Sequence, residues 1–283
     1  MNWTTVATYP KGSDRPLDNA ELYLSLVSAA GMILVGASAI LIWRQKTSLS
    51  YGWFLLGGAL WCAALPIKFG IAVPANPVVY AWTREHLPSF LFLPIAGLFG
   101  GLLSSASEIG LTWIAALLWS PLGKTAERAI AVGLGAGACE AIWFGATDAQ
   151  FVLAALLGYT QLDAAREKIE AVAVATPLFW LVAPVERIIV VLCHASSRAL
   201  VLLGTTHRRP WMVVGGFAIF ALLDGIATAA IVRGGVDTAF IWLVEAAYLP
   251  LALVSIPILG WCLSQFGFSG KGGVGEPQVM AVS

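Results

Sequence analysis

The chain has 283 residues, 59% of them hydrophobic and 11% charged, with a formal net charge of zero and a mean hydropathy of +0.83. That is too apolar for a soluble globule of this length and excludes that class, so the composition indicates a polytopic helical membrane protein surrounded by membrane lipids. The absence of a basic balance argues against nucleic acid as a partner, and the few Lys/Arg clusters are short enough to be topology signals.

In chain order, residues 1–20 are polar and carry no n-region, h-region and cleavage-site pattern, so no signal peptide is expected and insertion rests on the first spanning helix. A span needs about 20 mainly apolar residues, and scanning at that length predicts an all-α bundle of about seven, near 21–43, 51–73, 89–119, 129–146, 171–203, 211–232 and 238–264. The third and fifth are long enough to tilt, kink or extend beyond the bilayer. Pro177 and Pro184 point to a kink in the fifth. The stretch Gln150 to Ile169, apolar at first and then charged, is expected to lie at the membrane surface as an interfacial helix. Residues 265–283, rich in glycine and polar, are expected to form a mobile tail after a single transmembrane domain of residues 21–264.

Basic residues follow the first, third and fifth spans: Arg44 and Lys46, Lys124 and Arg128, Arg208 and Arg209. The positive-inside rule then places residues 44–50, 120–128 and 205–210 in the cytoplasm, the N-terminus outside, the C-terminus inside, and the protein in the cytoplasmic (inner) membrane. Trp43, Trp53, Trp119, Trp211 and Trp261 fall near predicted helix ends, as an interfacial aromatic belt requires. Cys62, Cys139, Cys193 and Cys262 lie in apolar runs without CxxC spacing and read as small buried hydrophobes, with neither a zinc site nor a disulfide framework indicated.

The ionisable residues within the apolar runs are Lys68, Glu108, Glu140, Glu186, Arg187, His194, Arg198, Asp224 and Glu245. A charge at the bilayer centre costs about 2.5–3.5 kcal/mol, so each marks a functional or a structural pairing. At 100° per residue Arg187, His194 and Arg198 form one stripe with Glu186 on its flank, and that stripe must face protein or water. His194 is therefore expected inside the bundle beside Glu140 or Asp224. Gly133, Gly135 and Gly137 precede Glu140 and let another backbone approach closely. Asp224 has Thr228 one turn later as a possible hydrogen-bond partner. Lys68 and Glu245 are placed near helix ends, where snorkelling or a simple ion pair suffices, and are read as structural.

Four motifs in order resemble the YhfC family of intramembrane proteases, relatives of the CAAX-prenyl-protease and PrsW groups. They are SASEIGLTW around Glu108, Gly133 to Ala141 with Glu140, the Glu186–Arg187 helix with His194, and Phe220 to Asp224; the resemblance covers about residues 90–232. It implies Glu108, Glu140, Glu186, His194 and Asp224 as candidate catalytic residues, with a glutamate and a histidine activating water and another polar pair stabilising the oxyanion. The departures are Ser107 where a first glutamate belongs, Leu111 at an arginine position, and Ala136 and Phe220 at two histidine positions. Apolar side chains cannot fill base or oxyanion roles.

There is no HExxH, GxSxG, P-loop or dinucleotide fingerprint. A metal set drawn from Glu140, Glu186, His194 and Asp224 would be carboxylate-rich, suited to iron or manganese and poor for zinc, so neither metal nor cofactor is expected. The leading expectation is a catalytically impaired homologue that binds a membrane protein, a transmembrane peptide or a lipid as an accessory subunit. The alternatives are a working glutamate-dependent peptidase, with Glu140 or Glu108 as base and His194 assisting, and a transporter or proton- or cation-conducting subunit. Discontinuous helices and inverted repeats would favour transport, and no such repeat is evident.

Overall fold

The computed structural model of the protein describes residues 19–157, 169, 172–173, 176–233 and 241–267. Among them the chain is entirely helical, and seven helices are long and apolar enough to cross a membrane: α1 Asn19–Thr47, α2 Tyr51–His86, α3 Ser89–Leu118, α4 Ala126–Leu156, α5 Phe179–Thr206, α6 Pro210–Arg233 and α7 Ile241–Phe266. The segments 1–18, 234–240 and 268–283 lie outside the described residues, as does most of the second half of the expected interfacial helix.

Turns of two or three residues join α1 to α2, α2 to α3 and α5 to α6, so these neighbours run antiparallel. α4 and α5 form the centre, with 67% and 83% of their most apolar windows buried against 17–28% for the other five helices. The reason lies in their side chains: α4 opens on a run of Ala and Gly that lets three helices close on it, and α5 carries the stripe that lipid would not tolerate. α1 and α2 pack on α4, while α3, α6 and α7 pack on or around α5.

Three boundaries differ from the sequence expectation. α2 continues 13 residues beyond the expected end at 73, through Pro66, Pro74 and Pro77. A proline removes one backbone donor but need not end a helix whose neighbours hold it. Lys68 is consequently the eighteenth of 36 residues, at mid-helix and not near an end. α4 runs to Leu156 and takes in the start of the expected surface helix, because Thr147 bonds back to the Trp143 carbonyl (2.9 Å) and Val152 and Ala155 pack against Leu22 of α1. Thr176 to Leu178 form a turn ahead of α5, Leu178 taking φ 54°, so Pro177 precedes that helix and only Pro184 lies inside it.

The cysteines divide. Cys193 and Cys262 are buried as expected, whereas Cys62 is exposed on the bundle's outer face with Cys139 half-buried beside it, their sulfurs 3.8 Å apart. The outward position of Cys62 corrects the buried reading; an apolar thiol is equally at home against lipid.

The end of the bundle where α1, α3, α5 and α7 finish gathers the expected tryptophans and basic residues. Trp53 stacks on Trp119 (5.6 Å), Trp211 contacts Trp261 (5.4 Å), and Trp43 donates to the Glu127 carbonyl (3.2 Å). Arg44 lies over Tyr51, Arg128 over Trp53 and Arg209 over Phe266, at 4.2–5.1 Å. Such cation–π pairs suit a headgroup layer, where one end of the pair is wet. Single cysteines placed at 46, 124 and 208 of an otherwise cysteine-free chain are expected to resist a membrane-impermeant maleimide in intact cells and to react after permeabilisation. Labelling of any of them from outside would invert the topology.

Candidate functional site

The site begins with the closeness of α4 and α5. A Cβ at Gly137 would stand 3.0 Å from both the His194 Cβ and the Val191 Cα, and one at Gly133 would stand 2.6 Å from the His194 carbonyl. Glycine at these positions lets His194 sit against α4, one turn below Glu140. Gly137→Val should therefore overpack the contact and cost about 1–3 kcal/mol. A lowered melting temperature in detergent is expected for it, with Gly110→Ala, whose Cβ meets nothing within 4 Å, unchanged. Equal melting of the two would show that this approach carries no strain.

Around that contact the charged side chains join into one chain of ion pairs. Glu186 accepts from the Arg187 guanidinium (2.5 Å), whose other terminal nitrogen donates to Glu140 Oε1 (2.5 Å). Glu140 Oε2 meets His194 Nε2 at 3.1 Å. His194 Nδ1 meets the Arg198 guanidinium at 2.8 Å, and Arg198 donates in turn to Glu108 Oε2 at 3.2 Å. Glu108 Oε1 accepts from Lys68 Nζ (3.1 Å), which also donates to Asp224 Oδ2 (2.9 Å). The Ser104 hydroxyl closes the chain with a short hydrogen bond to the same Asp224 oxygen.

All five candidate residues thus enter one network, and His194 lies in the interior beside Glu140 as expected. Arg198, His194 and Glu108 are sealed, with 0%, 1% and 2% exposure. The network is most exposed at its two ends, at Glu186 and at the Lys68–Asp224 pair, where the side chains are 22–27% exposed, against 14% at Glu140 between them. Asp224 is held by Lys68 and Ser104, while Thr228, its expected partner, packs instead against Gly100. Glu245, one turn into α7, is buried, and its Oε2 has no hydrogen-bond partner among the described residues.

Sequence reasoning missed two members. The expected span 51–73 places Lys68 near a helix end, whereas α2 runs on to His86; its isolation in an apolar run is the available signal. Ser104 lies four residues before Glu108, on the same face of α3, so the position of the acid already pointed to it. The residues at the four departures are close by. Phe220 is fully buried, edge-on to the His194 ring (4.9 Å) and 5.2 Å under the Arg198 guanidinium. Ala136 is fully buried one turn before Glu140. Ser107 is buried with its hydroxyl returned to the Leu103 carbonyl (2.8 Å), and Leu111 is half-buried.

Donor atoms of Glu108, Glu140 and His194 lie within 4.8 Å of one another, close enough by position to share a metal ion. Their chemistry does not suit one. A guanidinium can only donate, so His194 Nδ1 must accept from Arg198 and the ring proton sits on Nε2, aimed at Glu140. Neither imidazole nitrogen keeps a lone pair for a metal. Each oxygen of Glu108 and Glu140 already faces a donor, Lys68, Arg198, Arg187 or His194, so a metal ion would have to sit against fixed cations. Three fixed cations against the four carboxylates of Glu108, Glu140, Glu186 and Asp224 leave one net negative charge, and a divalent ion would turn this into a net positive core out of reach of water.

Comparison with curated proteins and with solved structures finds no significant match for this chain. The model of one family, described as the YhfC intramembrane metalloprotease family, matches residues 31–248. That stretch runs from α1 into α7 and includes every member of the ion-pair network, and the chain belongs to the YhfC family.

Proposed function

We propose that this protein is a non-hydrolytic member of its family, an integral protein of the cytoplasmic membrane that keeps the seven-helix bundle and uses the ionisable core as a fixed internal scaffold. The observation that carries this reading is the pairing of every candidate base with a fixed cation or with its neighbour in the network. Water activation needs a base that can meet a water and take its proton, and here Glu108 and Glu140 are each held by fixed cations, Lys68 and Arg198 or Arg187, while His194 Nδ1 faces Arg198. Phe220, standing against His194, offers the developing oxyanion no donor. The burial of His194 and Glu108 also keeps a peptide bond away from them.

The role proposed in place of hydrolysis is that of an accessory subunit binding a transmembrane segment of another membrane protein. An apolar cleft of about 480 Å³ runs between α3 and α6, lined by Leu93, Gly97, Leu98, Leu222, Gly225 and Ala229 among others. Gly97 and Gly225 pack α3 against α6, and the exposed Leu98 and Leu222 side chains give a partner helix apolar surface to pack on, association within lipid depending on packing and not on exclusion of water.

The runner-up is a working peptidase, favoured by the gathering of Glu108, Glu140, His194 and Asp224 in one place. A reconstituted cleavage assay on a library of transmembrane peptides separates the two. No cleavage is expected from the parent or from Glu140→Gln, Glu186→Gln and His194→Ala. Cleavage by the parent that any of those changes abolishes would establish the peptidase reading.

A further inference from the structure

We propose that the Lys68 ammonium is the built-in cation of this core: it occupies an oxygen-lined position between Glu108, Asp224 and Ser104 that would otherwise take a hard divalent metal ion. This rests on the non-hydrolytic reading only in sharing the same side chains, and it explains how a member of a family described by its metal holds its carboxylates without one.

The position is defined by three helices. Lys68 Nζ from α2 stands 3.1 Å from Glu108 Oε1 of α3 and 2.9 Å from Asp224 Oδ2 of α6. The Ser104 hydroxyl reaches both of those oxygens, at 3.4 Å from Glu108 and in the short bond to Asp224. Two carboxylate oxygens converge on the cation and the Ser104 hydroxyl bridges them, and oxygen donors of this kind are what Mn²⁺, Mg²⁺ or Ca²⁺ selects. An ammonium supplies one charge and three hydrogen-bond donors, two of which go to Glu108 and Asp224. It is tethered, so it cannot be lost to a chelator.

The charges decide between the two occupants. With Lys68 present the network carries one net negative charge, and an added divalent ion would leave an uncompensated positive charge in the bilayer. Without Lys68 the remaining Arg187 and Arg198 leave two net negative charges, which one divalent ion neutralises. Lys68 is also the least enclosed member of the core apart from Glu186, so its removal opens the position towards the surface instead of leaving a sealed void. The second, independent feature is that the far side of the network is already full. Arg198 is fixed by Glu108 and His194 and stacks on Phe220, which confines any ion to the Lys68 side.

The experiment uses the full chain, washed with EDTA in detergent and equilibrated with Mn²⁺ alone, for the parent, Lys68→Ala, Lys68→Ser and Lys68→Ala combined with Asp224→Asn. The parent is expected to retain no Mn²⁺ after gel filtration, Lys68→Ala and Lys68→Ser about one equivalent each, and the combined variant none. Mn²⁺ should raise the melting temperature of the two single variants and leave that of the parent unmoved. If the single variants do not fold without metal, expression with supplementary Mn²⁺ should return them as monodisperse protein. Stoichiometric metal in the parent, folded single variants without metal, or single variants that Mn²⁺ does not rescue would each overturn the assignment. A parent that holds metal yet cuts nothing would remove this inference and leave the non-hydrolytic reading standing. A metal-free parent that cuts peptides would do the reverse.

Discussion

Arg198→Met is expected to destabilise the protein by about 3–5 kcal/mol, the range for removing one partner of a buried ion pair. Arg198 has no exposed surface, and its guanidinium is shared by Glu108 Oε2, His194 Nδ1 and the face of Phe220. Methionine keeps the length of the stem and removes all three interactions. Glu108, 2% exposed, then keeps only Lys68 as a counter-charge, and His194 loses its donor. The average polar contact between membrane helices is worth only about 0.6 kcal/mol, so an effect of the expected size would show that the stranded charge dominates and not the lost contact. The double variant Arg198→Met with Glu108→Gln removes the stranded charge as well and should recover more than half of the loss. Unfolding in mixed micelles reads both values. A single variant within about 0.5 kcal/mol of the parent, or a double variant that is simply additive, would mean that these charges do not hold the core.

Glu140→Leu should cost about 3 kcal/mol, and Glu186→Gln less than about 1 kcal/mol, although both acids bind the same arginine. Among the described residues Glu140 is the acid that joins Arg187 to His194, and its side chain is 14% exposed. Glu186 is 27% exposed and meets Arg187 alone. Losing Glu140 leaves the Nε2–H of His194 without an acceptor and Arg187 with one carboxylate. Losing Glu186 leaves Arg187 paired with Glu140, and the vacancy opens to the surface. Glu140→Gln should fall between the two, because its amide oxygen still accepts one of the two bonds. A catalytic base behaves in the opposite way, with its amide replacement stable and inactive. Stability is therefore expected to separate the acids where activity does not, and equal melting of all three variants would count against the scaffold reading.

Seven spans were legible because apolar runs of sufficient length announce themselves in composition alone, and each expected span meets a helix in the structure. What the pattern missed were boundaries. The expected spans 51–73 and 129–146 end short of α2 and α4, which continue through Pro74 and Pro77 and through Thr147 and Asp148 because packing against α1, α3 and α4 holds them. Lys68 thereby lies at mid-helix and not near an end, where it forms its ion pairs as one of the three cations of the core.

Which side chains carry charge into the membrane was determined by the sequence itself, since a Glu, Arg or His inside an apolar run has no inexpensive exposed position and must be turned inward. The stripe on α5 and the acid on α4 followed from helical periodicity. Which acid meets which cation was decided only by the tertiary structure. Lys68 and Asp224 are 156 positions apart, Arg198 and Glu108 are 90, and no local rule relates them. Pairing within a bundle depends on helix rotation and depth to within an ångström or two. Those are set by the summed contacts of entire helix faces, the glycines at 133 and 137 foremost among them. The sequence could name the donors and acceptors, but which cation each acid is paired with depended on that geometry.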